Sequence, residues 1–416
     1  MKRLVIIIGA ALAGGVLGGG VMLAIQATDS DPQDAAPPLR ASAERTATTT
    51  TTRPPTEEPD PTATTAPQPA PSVLLAWSRN GDQRGLDPGL EPAAAAAPDV
   101  SATSLVRAGN LDLVGSRSVE GAPVDDLAPG WAIPLDAVAV DPARHAEFIP
   151  IADRDAISTL GPGEAVLGRT SAELRRLGPG GVIELAAGQS VVVSSVVEDA
   201  SIGGAELAVD VATGARLGLA SPRYLLVAYD GDRPALENRL RAALARGTVV
   251  QFRGPGETPY LRQADAVLPQ AQIKARFGEF SYRTTVGDAI EPDPAWESES
   301  IVTREVPLLG QVRCHRGIID ALVGALTEIE RAGLAALVHQ AGYDGCFVPR
   351  FVAGSDSLSR HAWGAAFDIG VSTNPTGVES AQDPRLVEIF RRWGFTSGDS
   401  WLIPDAGHFE YVEPAG

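Results

Sequence analysis

Residues 359–368 read Ser-Arg-His-Ala-Trp-Gly-Ala-Ala-Phe-Asp, and residues 404–410 read Pro-Asp-Ala-Gly-His-Phe-Glu. Together they hold His361, Asp368, Asp405, His408 and Glu410. Two imidazoles and one carboxylate form a borderline-hard donor set that suits Zn²⁺ and leaves a fourth position open. The small residues Gly364, Ala365 and Ala366 let the backbone curl between His361 and Asp368. A strand is expected over His408–Val412, which would point Glu410 to the same side as His408. Taken as composition alone, the same residues also read as solvated His and Asp side chains.

The surrounding hundred residues have an α+β pattern. Gly317–Ala332 places Ile318, Ile319, Leu322, Val323, Leu326 and Ile329 at helical spacing, and Gly333 ends the run. Two short strands are expected around Leu337–Val338 and Phe347–Val348. A second helix is expected over Arg385–Trp393, stopped by Gly394. Four of the chain's five histidines fall here, the other two being His315 and His339.

Upstream, residues 73–283 change character. Short β-branched runs bounded by Gly, Pro and Asp read as strands: Val182–Leu185, Ser190–Val197, Glu206–Val211, Tyr224–Tyr229 and Thr248–Phe252. Ser171–Leu177 and Arg233–Arg246 read as helices. This β-rich region has one histidine, His145, and no cysteine, so no chemistry is visible in it. A lone His here reads as a satisfied or exposed side chain rather than a ligand.

The N-terminus sets the compartment. Leu4–Ile25 carries no charge over 22 residues, enough to span a bilayer as a helix. Lys2 and Arg3 precede it and Asp29 and Asp31 follow, so the bulk of the chain is expected outside the cell, with residues 1–27 as an uncleaved anchor. A cleaved signal peptide is the competing reading, and either exports the chain. Residues 28–72 are Pro- and Thr-rich with almost no large apolar residue, which predicts a disordered tether reaching on the order of 100 Å. Of the 416 residues, 34 are Lys or Arg and 52 Asp or Glu, a net charge of −18. Only Lys2 and Lys274 are lysines. With no basic cluster, a nucleic-acid partner is excluded.

The two motif units resemble the M15 peptidases, the zinc D-alanyl-D-alanine carboxypeptidases and related peptidoglycan endopeptidases. The shared pattern is S-x-H-x-x-G-x-A-x-D followed by D-x-x-H-F-E. Gly345–Arg350 and Asn374–Pro375 are similar to the same subgroup. The resemblance implies a small Hedgehog/DD-peptidase-like α+β domain over 284–416, holding one zinc ion through His361, Asp368 and His408. It implies Asp405 as general base, with Glu410 as the alternative base or a partner of an imidazole. Arg350 would stabilise the oxyanion and bind substrate, and Ser359 would shape the loop and touch substrate. Trp363 reads as packing. Two positions depart from the family: Gly370 stands where Asn is frequent, and Gly407 where a bulky residue is frequent. Separately, Gly163–Asp199 weakly resembles the extracytoplasmic domains of the FtsX/MacB transporter family, a hint of a non-catalytic module.

Cys314 and Cys346 are the only cysteines. An exported pair favours a disulfide, expected to staple the first helix to the strand leading to Arg350. The resulting expectation is a membrane-anchored extracellular zinc peptidase cutting peptidoglycan stem peptides, with the middle region as spacer, regulator or docking site for a protein partner. Two alternatives stand beside it. One is a non-catalytic wall-binding scaffold that keeps the fold. The other is a zinc peptidase acting on a non-wall peptide.

Overall fold

The computed structural model describes residues 72–79, 86–254, 257, 268–338 and 342–413. The expected membrane span Leu4–Ile25, the tether up to residue 71 and His339 lie outside the described residues. Among the described residues, no helix is long and apolar enough to cross a membrane.

The middle region is built on one sheet of ten strands. In chain order they are β1 (Ser72–Arg79), β2 (Val100–Arg117), β3 (Pro123–Asp126), β4 (Ile133–Val140), β5 (Glu164–Gly168), β6 (Val182–Leu185), β7 (Gln189–Val197), β8 (Leu207–Asp210), β9 (Pro222–Tyr229) and β10 (Val249–Arg253). The spatial order is β10-β1-β9-β2-β4-β8-β5-β7-β6, with β3 beside β2. The last strand, β6, also pairs with the C-terminal end of β2, so β2-β4-β8-β5-β7-β6 closes on itself. Closure removes the exposed edges that an open sheet must protect. It also explains the apolar content of β4, where every residue but Asp136 is buried. Leu113, Leu135, Leu167, Ile183, Val193 and Leu207 pack inside the closed part. β1, β9 and β10 extend the sheet and are covered by Leu90 and by Leu236 and Leu240 of the helix Arg233–Ala243.

The C-terminal part has its own core. The helix Ile319–Arg331 buries Ile319, Leu322, Ala325, Leu326 and Ile329, the expected stripe. The helix Pro384–Arg392 buries Leu386, Ile389 and Phe390, and Asp383 caps it by accepting from the Arg385 amide at 2.9 Å. Two hairpins precede the first of these helices: β11 (Tyr282–Thr284) with β12 (Ile290–Pro292), and β13 (Ile301–Val306) with β14 (Gly310–His315). The site sheet is β15 (Ala366–Asp368), β16 (Phe395–Gly398) and β17 (Asp405–Tyr411), in the order β15-β17-β16.

Two expected strands are absent. Ala335–Leu337 is a 3₁₀ turn, and Phe347–Val348 lies in irregular chain. There the backbone bonds elsewhere, Phe347 N–H to Arg313 O at 2.8 Å and Val348 N–H to His361 O at 3.0 Å. Of the apolar residues that suggested strands, Val338 enters the C-terminal core and Phe347 is buried beside Trp296, while Leu337 is exposed. Cys314 and Cys346 are bonded, with Cα atoms 5.3 Å apart. The bond joins the end of β14 to that irregular segment, rather than a helix to a strand.

The helix Gln270–Phe277 ties the two parts together. Its Ile273 and Phe277 pack into the C-terminal core. Its Gln270 and Lys274 point the other way, onto Pro134 O and the Glu206 carboxylate of the middle region. All the described residues belong to one compact unit.

Candidate metal centre

The period of two along a strand separates chemistry from core. On β17, Phe409 pairs with Phe367 of β15 and faces inward with Phe390 and Phe395, all four essentially fully buried. The Phe367 and Phe409 rings stack at 5.5 Å. Burying each such side chain contributes about 1.5–3 kcal/mol, so this face is firmly set. The alternate residues must then face the other way. Asp368 pairs directly with His408, and Ala366 with Glu410. The aromatic core thus fixes a face that carries Asp368, His408 and Glu410.

His361 arrives from a 3₁₀ turn, Arg360–Trp363. Ser359 caps that turn, its Oγ accepting from the His361 amide at 3.3 Å. Gly364 ends it at φ +62°, and a Cβ there would stand 2.7 Å from the His315 amide nitrogen. Only glycine permits both the left-handed backbone and that approach. Trp363 is fully buried, donates from Nε1 to Gly278 O at 3.1 Å and packs against Phe280.

Three ligand-type atoms converge. His361 Nε2 is 3.2 Å from Asp368 Oδ1 and 3.1 Å from His408 Nδ1, and His408 Nδ1 is 2.7 Å from Asp368 Oδ1. Among the described residues this is the one group of three or more such side chains close enough to hold an ion. Zinc with bonds of about 2.0–2.1 Å spaces tetrahedral ligand atoms about 3.3 Å apart, so the donor set fits zinc in kind and in spacing.

The remaining ring nitrogens are also placed. His361 Nδ1 is 3.1 Å from Cys346 O; we assign its proton there, which leaves Nε2 facing the cluster. His408 Nε2 is 3.3 Å from Glu410 Oε1, and the Trp401 ring lies beside the imidazole. Burial opposes charge on His408, but hydrogen bonds to Asp368 and Glu410 outweigh it and raise its pKa to about 10. An ion that takes Nδ1 must displace that proton. Burial alone would raise Asp368; its bonds to the two histidines instead hold it well below the usual carboxylate range.

Asp405 begins β17 and is half-buried. Burial pushes its carboxyl up, the Asp368 charge adds to this, and His408 and a hydrogen bond with Thr376 oppose it. Asp405, Glu410, Arg350 and Ser359 line the same cavity as the three ligand-type residues. Arg350 forms an isolated bridge to Ala289 and donates from Nη1 to Phe351 O at 3.4 Å.

The two departures from the family pattern have structural reasons. Gly370 has φ +62°, a left-handed position that Asn also tolerates. At Gly407 a Cβ would approach Ile369 O to 3.1 Å, so this chain packs its 369–374 loop against the strand where a larger residue would push it away. His315 and His145 stay outside the cluster. His315 is 3.2 Å from Phe277 O, and His145 Nδ1 is 3.0 Å from Ser104 Oγ.

The cavity has a volume of about 750 Å³ and a wall that sequence reasoning missed. Trp77, Asn110, Asp136, Arg223 and Tyr224, all from the middle region, face the same space as His361 and His408. No motif marks them, because strand pairing over a hundred or more residues brings them there.

A family model described as D-alanyl-D-alanine carboxypeptidase, from the M15 peptidases, matches residues 353–411. That span includes Ser359, His361, Asp368, Asp405, His408 and Glu410, and excludes Arg350. The C-terminal part of the chain therefore carries an M15-like peptidase domain. No curated protein matches the chain. Among solved structures, the periplasmic region of MacB from Actinobacillus actinomycetemcomitans aligns at 11% identity and a TM-score of 0.31, covering 44% of this chain and 89% of that one. The extracellular domain of the noncanonic ABC-type transporter YknZ from Gram-positive bacteria aligns at 11% identity and a TM-score of 0.29, covering 43% of this chain and 99% of that one.

Proposed function

From an M15-like domain whose His361, Asp368 and His408 converge in a cavity, we propose that this protein is an exported, zinc-dependent peptidase that hydrolyses peptidoglycan stem peptides at or next to D-alanine. We further propose that residues 4–25, outside the described residues, anchor it in the membrane with the described part outside the cell. The observation that carries the reading is the convergence of three donor atoms beside two further carboxylates, in a cavity large enough for a short peptide.

The residues divide the work. When bound, zinc supplies Lewis-acid polarisation of a carbonyl and a nucleophile at neutral pH. Asp405, with its carboxyl pushed up by burial, takes the proton from the attacking water and gives it to the leaving amine. Arg350 sits on the cavity wall, where its guanidinium pairs with the developing oxyanion. Glu410 holds the far nitrogen of His408 and so orients that ring. Ser359 fixes the turn that carries His361 and offers its edge to substrate.

The test is mass spectrometry of purified muropeptides after incubation with the zinc-loaded full chain. The expected result is shortened or separated stem peptides, lost in His361→Ala and on chelation. Unchanged muropeptides that nevertheless bind would replace the peptidase with a wall-binding scaffold, and turnover of unrelated peptides alone would remove the wall substrate.

A further inference from the structure

The cavity over the ligand cluster has two walls from distant parts of the chain, and the loops that flank the cluster are fastened to the middle region on both sides. On one side Asn110 of β2 donates from its amide to Asp356 Oδ2 at 3.2 Å and from Nδ2 to Ser357 Oγ at 3.0 Å. That loop leads directly into Ser359 and His361. On the other side Gln251 donates to Ser400 O at 3.0 Å, and Leu402 packs with Leu75, Trp77 and Tyr224 in a middle-region core cluster.

Among the described residues of the middle-region wall, Arg223 alone brings a guanidinium to the cavity. β9 pairs with β2 through Tyr224 opposite Val106 and Pro222 opposite Arg107, so the register shifts across Arg223. Such a bulge re-aims the side chain of its extra residue. Arg223 lines the cavity, and its Nε donates to Ala108 O at 3.1 Å, which orients the planar fork. Among the described residues no carboxylate pairs with it. Asp136 and Asp356 line the same cavity, yet among the described residues neither forms an ion pair with Arg223, which leaves its fork open to an incoming carboxylate. The guanidinium fork matches a carboxylate in a bidentate way.

We propose that Arg223 binds the C-terminal carboxylate of the peptide substrate, so that the middle β-sheet is the second wall of the substrate site and selects peptides by their free end. This rests on the peptidase reading for the nature of the ligand. Arg223 and Arg350 then act from opposite parts of the chain, one on the chain end and one on the reacting carbonyl.

The experiment measures binding separately from turnover. The zinc-loaded full chain carrying Asp405→Asn is titrated calorimetrically with a synthetic stem pentapeptide ending in D-Ala-D-Ala and with its C-terminal amide. Expected is at least about tenfold tighter binding of the free acid. Adding Arg223→Gln should weaken the acid by about ten- to a hundredfold, to the level of the amide, and leave the amide unchanged, the scale of one charge-assisted pair. Arg223→Lys should lie between. Equal zinc content and an equal urea midpoint establish that these variants fold. An unchanged acid-to-amide ratio in Arg223→Gln, equal weakening of both peptides, or no binding of either overturns the proposal. A parent chain that turns over muropeptides while the ratio ignores Arg223 sinks this inference alone. A parent without turnover, whose ratio still collapses in Arg223→Gln, sinks the peptidase reading alone.

Discussion

The joint between the two parts of the chain is a buried charge cluster, and removing its central carboxylate should be costly. Glu206 is fully buried and accepts from Lys274 Nζ at 2.8 Å on both oxygens, from Gln270 Nε2 at 2.9 Å, from the Asp136 amide at 3.2 Å and from Arg175 Nη2 at 3.4 Å. Arg175 and Lys274 have no exposed side-chain surface, and both also meet Glu279. Burial would raise the Glu279 carboxyl, but Lys274 and Arg175 bring it below its ordinary value, so it stays charged. Glu206→Gln keeps the shape, removes one of the anions balancing two buried cations, and turns an NH₂ group toward donors. Breaking a buried pair from one side costs about 3–5 kcal/mol, whereas a well-packed apolar replacement of both partners costs far less. Against a typical stability of about 5–15 kcal/mol, that is a large fraction. The assay is urea unfolding of zinc-loaded protein, comparing Glu206→Gln, Lys274→Met and the double variant. The double should cost less than the sum of the singles by about 0.5–3 kcal/mol. A Glu206→Gln cost below about 1 kcal/mol, or strict additivity, would refute the reasoning. Because Lys274 stands on the helix that also packs into the peptidase-like core, loosening this joint should raise KM more than it lowers kcat.

Three further outcomes are expected. Asp405→Asn should retain zinc and lose about 10²–10⁴-fold in turnover, while Glu410→Gln should mainly weaken zinc affinity, by about 10–100-fold; turnover at saturating zinc separates them, and the opposite pattern reverses the roles. Reducing the Cys314–Cys346 bond should lower stability by about 2–5 kcal/mol and also weaken zinc binding, since Cys346 O accepts from His361 Nδ1; unfolding and zinc titrations with and without reductant check both. Burial lowers the His145 pKa to about 4, so protons favour the unfolded chain as pH falls from about 6.5 to about 4. That removes about 3 kcal/mol of the stability present above pH 6.5, and the loss should shrink in His145→Gln, measured as urea midpoints across that range.

The ligand-type residues were legible because their geometry is local. His361 and Asp368 are seven residues apart, and a strand's alternation puts His408 and Glu410 on one face whatever the rest of the chain does. The helix Ile319–Arg331 was legible for the same reason, its apolar stripe recurring every three or four residues. The strands expected near Leu337 and Phe347 failed because β-branched and aromatic residues are equally at home in irregular chain pinned by a disulfide and core contacts. The helix Gln270–Phe277 escaped notice because it is buried on both sides: Ile273 and Phe277 enter one core, while Gln270 and Lys274 enter a charge cluster that reads as a solvated face.

The second wall of the cavity was out of reach for a deeper reason. β2 runs for 18 residues and pairs in turn with β9, β4, β6 and β3. Each pairing is set by which faces can be buried together, not by a local signal. The position of Arg223 depends on a register shift within one of those pairings, and that of Asn110 on another. A region without a catalytic motif therefore looked like a spacer, although its strands reach the loops on both sides of the ligand cluster. The family pattern stops at residue 353, so it describes the chemistry that the cluster supports. What the cavity admits depends equally on strands that begin almost three hundred residues earlier, and a substitution at Arg223 or Asn110 should alter substrate choice while leaving His361, Asp368 and His408 in place.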